Sequence, residues 1–146
     1  MEGHTRDQEQ VDEAADGPLL SGLRRLGLRP GHVVVEFGYD DDVEEELREA
    51  AEALAGSAIE EDDYDGVVDV VLLWWRDGDG DLADELVDAL TGLEEGGSIA
   101  LLTPGPGRDD RVPAHDVQEA CTVCSLSASK AVPLGRWVGQ RLVGRR

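Results

Sequence analysis

The sequence predicts an α/β protein of three layers. A mostly parallel sheet should lie between helices, with an antiparallel strand pair at its C-terminal end. Three observations predict this. Short apolar runs at Val33–Phe37, Val67–Trp75 and Ser98–Thr103 alternate with segments whose apolar residues recur at helical spacing. Val67–Trp75 is near-continuously apolar, as suits a parallel strand covered on both faces. Near the C-terminus, strand-like stretches at Ser125–Val132 and Trp137–Val143 are separated only by Pro133-Leu134-Gly135. That gap is too short for a crossover helix, so the pair should be antiparallel.

Each element has a local reason. Met1–Gly17 is polar, acidic and without periodicity, and reads as a disordered tail. Residues 18–146 read as a single α/β domain. Leu19, Leu20, Leu23 and Leu26 have helical spacing, and Arg29-Pro30-Gly31 then turns the chain into the first strand. After Phe37, Asp42 is placed to cap a helix, with Glu45 completing a capping box. Val43, Leu47, Ala51 and Leu54 form its apolar stripe, and Gly56 ends it. Ala58–Glu60 reads as a brief strand. Asp81 should cap the next helix, whose stripe is Leu82, Leu86, Ala89, Leu90 and Leu93, with Gly96-Gly97 as its stop. Pro and Gly make residues 104–116 a loop, and Asp116–Cys124 a short helix.

Composition bounds the function. The chain has 146 residues, 40% of them hydrophobic but only 4% aromatic, so the core must be largely aliphatic. The formal net charge is -20 and the pI about 4.2. That sign repels nucleic acid and anionic membrane, so neither is expected as a partner. It favours a basic protein partner or a cation, besides keeping the chain dissolved. Lys130 is the only lysine, which fits a GC-rich genome or a high-salt habitat. The longest apolar run, Val70–Trp75, is far short of the ~18 residues of a membrane span. The N-terminal stretch has no signal-peptide pattern. With Cys121 and Cys124 as the only cysteines, a reducing, cytoplasmic location is expected.

The segment "DVVLLWW", a helix and then "LEEGGSIALLTP" resemble the second half of class I S-adenosylmethionine-dependent methyltransferases. The resemblance implies a Rossmann-like frame of that type. In those enzymes an acidic residue and spaced glycines close the first strand. Glu36 matches the acid and Gly38 the first glycine, while Asp40 and Asp42 stand where later glycines belong. A side chain at Asp40 is expected to obstruct close approach of a cofactor to the backbone. Glu60, about twenty residues beyond the turn, is either an acid placed to grip a ribose or a plain loop carboxylate. Over nearly all of the chain after the tail, "EFGYDDDVEEELREA", "EDDYDGVVDVVLLWWRD" and "GDLADELVDAL" resemble a family of small acidic actinobacterial proteins, domain of unknown function 3052. This implies an actinobacterial origin and carries over no catalytic residue.

Three function classes follow. The first is a non-catalytic binding or regulatory module on a degenerate methyltransferase-like frame, with no cofactor expected. The second is a methyltransferase with an unusual first loop, for which S-adenosylmethionine is a possible cofactor. Its cofactor-binding candidates are Glu36, Gly38, Asp40, Glu60 and Trp75. Ligands of open α/β sheets bind at the carboxyl ends of strands, which nominates Gly38–Asp42, Trp75–Asp79 and Thr103–Arg108, with Arg76 among many carboxylates. The third is a divalent-metal-responsive module. Asp77, Asp79, Asp81 and Asp88 have calcium-loop spacing, although Leu82 replaces the turn glycine and Asp88 the terminal glutamate. Cys121-Thr-Val-Cys124 is half a zinc site without a second half, and reads as two packed thiols.

Overall fold

The computed structural model describes residues 17–144. The expected disordered tail, Gly17 apart, lies outside them. The described elements are α1 (Pro18–Arg25), β1 (Val34–Phe37), α2 (Glu45–Ala55), β2 (Val68–Trp74), α3 (Leu82–Thr91), β3 (Leu93–Pro104), α4 (Ala114–Val123), β4 (Leu126–Ala128), β5 (Val132–Leu134) and β6 (Trp137–Gly144).

The sheet runs in the order β1-β2-β3-β6-β4, and β5 pairs with β6. β1, β2 and β3 are parallel, and β6 is antiparallel to β3, β4 and β5. The sheet is thus mostly parallel at one side and antiparallel at the C-terminal side. Strand alternation divides the apolar residues between two cores. Val34, Val70, Leu72, Trp74, Ala100 and Leu102 face α1 and α2. Val35, Val71, Leu73, Trp75, Ile99 and Leu101 face α3 and α4. Trp74 and Trp75 accordingly lie on opposite faces, as alternation requires.

Several boundaries differ from expectation. α2 begins at Glu45 with Glu44 as N-cap and no side-chain cap bond. Asp42 forms no capping box because its carboxylate is held by an arginine. Ala58–Glu60 adds no full strand. Only Glu60 bridges Val35, through backbone bonds with Val34 and Glu36. β3 starts at Leu93, so Gly96-Gly97 lies within a strand rather than at a helix stop. Between Val68 and Val70 the register jumps from Leu93 to Ser98, and the extra β3 residues bulge. Gly97 is required there: a Cβ would sit 2.7 Å from the Asp69 carbonyl oxygen. The C-terminal turn is Gly135-Arg136, not Pro133-Leu134-Gly135, because Val132–Leu134 joins β6 as a strand. Asp81 does cap α3, accepting from the Asp84 amide at 3.3 Å. Gly56 does close α2, with φ of 86°.

Candidate functional site

The carboxyl ends of β1, β2 and β3 meet at one edge, as the parallel register demands. The Gly38–Asp42 turn, Arg76 and Arg108 are in contact there.

Glu36 is 8% exposed, on the sheet face that carries Trp74. A carboxylate this buried needs partners. It accepts from Trp74 Nε1 at 2.8 Å, and from Arg48 Nε at 2.8 Å and Nη2 at 3.0 Å. The arginine fork is bidentate, the stronger form of this pair. Arg48 also donates to Glu45 at 3.0 Å, and its guanidinium carbon lies 4.9 Å from the centre of the Tyr39 ring. Its pKa is raised, foremost by Glu36.

Arg76 fills the middle of the edge and is itself 8% exposed. Nε and Nη2 donate to the two oxygens of Asp42 at 3.0 and 2.6 Å. Nη1 donates to the Gly38 carbonyl at 2.9 Å and to Asp79 at 3.3 Å. Burial pulls the Arg76 pKa down, but Asp42 and Asp79 outweigh it and the net direction is up. Asp42 is held below its ordinary value by the Arg76 hydrogen bond, against its own partial burial. Arg108 adds a second cation 3.5 Å from Asp42, and also pairs with Asp110 at 3.3 Å.

Trp137 lies behind the cluster and is fully buried. It meets Trp74 edge-on, with ring centres 4.8 Å apart and planes at 79°. Arg76 and Arg108 stand over its ring, at 5.3 and 5.0 Å from the centre. Two donors here, Trp137 Nε1 and Arg108 Nη1, are buried without an acceptor among the described residues. The β5–β6 turn is tied to the same region, since Glu44 accepts from the Arg136 amide at 3.4 Å.

Gly38 has φ of 79°, and a Cβ on it would collide with the Trp74 carbonyl oxygen. This glycine therefore serves packing of β1 against β2. Asp40 is exposed and its carboxylate accepts from the Asp41 amide at 2.8 Å. The Asp42–Arg76 pair is what fills the turn.

Glu60 is exposed and enters the sheet through its backbone; Glu61 and Asp62, next in sequence, line a cleft of about 590 Å³ with Glu36, Gly38, Tyr39 and Arg48. Trp75 is 8% exposed and turns to the other face, into the core under α3 and α4. It is therefore separated from Glu36 by the sheet. The metal candidates are not gathered. Asp79 bonds Arg76, Asp81 caps α3, and Asp77 and Asp88 are exposed. Among the described residues no three His, Cys, Asp or Glu side chains are placed to hold a metal ion. Cys121 is buried and Cys124 half-buried, with its pKa raised by burial and then by Asp81 and Asp84.

Sequence reasoning missed Arg48 and Trp137, while Arg108 closes the nominated Thr103–Arg108 segment without having been given a role. Arg48 carried a faint signal, as the one basic residue of a glutamate-rich helix. Trp137 carried none, because its partners are remote in sequence.

Comparison with solved structures places the fold. A ribosomal protein L11 methylase from Lactobacillus delbrueckii subsp. bulgaricus is 18% identical, with a TM-score of 0.54 over 88% of this chain and 77% of that one. A methyltransferase from Thiobacillus denitrificans, solved with S-adenosyl-L-homocysteine, is 14% identical, with a TM-score of 0.51 over 88% and 92%. The frame is methyltransferase-like and Rossmann-like. Among curated proteins, an uncharacterized protein of Mycobacterium tuberculosis is 42% identical over 120 residues, 82% of this chain and 76% of that one. The sequence profile described as "Protein of unknown function (DUF3052)" matches residues 23–146, and the chain belongs to that family.

Proposed function

We propose that this protein is a non-catalytic binding module that keeps a methyltransferase-like frame, has closed its cofactor end from within, and offers an acidic surface to a basic protein partner. One observation carries the reading. The groups that would receive a cofactor are already engaged: Glu36 by Arg48 and Trp74, and the Gly38–Asp42 turn by Arg76. A ligand that took over the Glu36 carboxylate would have to displace a bidentate arginine from it, which typically costs several kcal/mol. The net charge of -20 supports the second half of the reading, since it steers basic partners inward.

A second reading has its own observation. The cleft of about 590 Å³ beside Tyr39 and Arg48 remains open, and some solved neighbours hold S-adenosylmethionine or its demethylated product. A methyltransferase with an atypical turn would use that cleft. Calorimetric titration with S-adenosylmethionine and S-adenosylhomocysteine separates the two. No heat at millimolar ligand is the expected result. Micromolar binding would replace the first reading with the second.

A further inference from the structure

On the opposite face of the sheet from Glu36, the start of α3 and the length of α4 diverge over the loop that follows β2. They leave a groove of about 660 Å³. Its wall is apolar at Leu82, Ala83, Val112, Ala120 and Val123, with Trp75 at its base. Val123 is 68% exposed, a large aliphatic side chain left uncovered at the rim. Around this surface stand the carboxylates of Asp77, Asp81, Asp84, Asp116 and Glu119. No arginine, lysine or histidine lines the groove.

That pairing of surfaces selects the occupant. The uncovered Val123 beside this apolar stretch favours one aliphatic anchor, because burying one side chain is worth roughly 1.5–3 kcal/mol. Asp116 already meets His115 at 3.1 Å, but the other rim acids have no cation among the lining residues and favour arginine or lysine beside that anchor. A second copy of this chain suits it poorly, since each copy carries a net charge of -20. A lone metal ion would leave the apolar wall unused, and the carboxylates do not converge on a point.

Building on the binding-module reading, we infer that the α3–α4 groove is where that partner docks, and that it takes a basic peptide segment bearing an aliphatic anchor. Val123 and Ala120 meet the anchor. Asp84 and Glu119 meet the flanking cations. The charges govern encounter rate and salt sensitivity, and the anchor governs residence time.

The test uses the full chain, isotope-labelled for amide NMR, and two short synthetic peptides. One carries arginines flanking leucines. The other keeps the arginines and replaces the leucines with serines. Saturable shifts centred on Val112, Ala120 and Val123, and about tenfold weaker binding of the serine peptide, are expected. D84N/E119Q and Val123→Ser should each weaken the leucine peptide by a similar factor, with thermal melts verifying the fold of both. Equal binding of both peptides, or binding unchanged in the variants, would overturn the groove while leaving the acidic-surface reading in place. Displacement of the peptide by calcium at equimolar concentration, or a dimer by sedimentation, would also overturn it. Failure of both peptides to bind would remove the acidic-surface reading together with the groove. The separate cofactor titration judges whether the frame is closed.

Discussion

The two faces of the sheet handle their carboxylates in opposite ways. On the α2 side three buried or half-buried acids are matched by arginines: Glu36 with Arg48, Asp42 with Arg76 and Arg108, Glu44 with Arg136. On the α3 side the acids of the groove face no arginine or lysine among its lining residues. The first arrangement is what a protein needs to hold charge in its interior, because unpaired buried charge is strongly destabilising. The second leaves negative potential available to something outside. A net charge of -20 is therefore no uniform coat. Glu36, Asp42 and Glu44 are tied to arginines near the strand ends, whereas the acids that line the α3–α4 groove have no arginine or lysine among them.

The most severe way to break this contrast is Arg76→Ala. It removes two charge-assisted bonds from Asp42, which keeps only Arg108 at 3.5 Å, and the donor to the Gly38 carbonyl. Urea unfolding should show a loss of about 2–3 kcal/mol, since Asp42 is partly exposed and water recovers part of its solvation. Asp84→Asn, a charge change on the groove side, should stay within about 0.5 kcal/mol of the parent. Similar losses in both would mean that the two faces do not differ as described. Glu36→Gln ranks next. Its amide oxygen still accepts from Trp74, but the charged fork to Arg48 is lost. Since Arg48 is 26% exposed, water recovers part of its solvation, and a loss of about 1–2 kcal/mol is expected by the same measurement. No measurable loss would mean that the fork adds little and Trp74 alone holds the site.

Much of this frame was legible in the sequence, for a definite reason. The alternation of Val67–Trp75, the leucine stripes, the Gly56 stop and the Asp81 cap are each set by neighbours within about one or two helical turns. The pairing of Asp42 with Arg76 at the strand ends was not legible in that way. Asp42 reads locally as an N-cap, with glutamate three residues on. It became an arginine ligand only because parallel pairing of β1 and β2 brings Arg76, 34 residues later, beside it. A buried guanidinium outbids a helix amide for a carboxylate, since two charge-assisted bonds exceed one cap bond. Trp137 was illegible too, because its burial depends on β6 inserting between β3 and β4. The resemblance to a methyltransferase-like frame was read correctly. What occupies that frame depended on contacts that local pattern cannot reach.

Acid titration sharpens the comparison further. The folded-state pKa of Asp42 is depressed, so its contribution to stability is full above its ordinary value of 3.8 and is lost as pH falls through the lower folded value. Unfolding free energy below pH 3.8 should thus fall more steeply in the parent than in Asp42→Asn. Parallel curves would show that Arg76 does not distinguish the charged from the neutral acid. The effect should be smaller than that of Glu36→Gln, because the Asp42 side chain is 36% exposed.

The smallest expected effect has the reverse sign and comes from the other face. Glu85 on α3 has a raised pKa, through partial burial first and then through Asp88, Asp62 and Asp79. For an acid whose folded pKa lies above its ordinary value of 4.5, the favourable contribution is complete below 4.5 and disappears as pH rises through the folded value. At neutral pH the charged Glu85 therefore works against the fold, and Glu85→Gln should raise Tm by about 1–2 °C. Below pH 4.5 that advantage should vanish, since the parent is then protonated as well. Added salt should reduce the part contributed by the three aspartates and leave the part due to burial. A variant less stable than the parent at neutral pH would mean that the acids of α3 are compensated, and the contrast between the two faces would be lost.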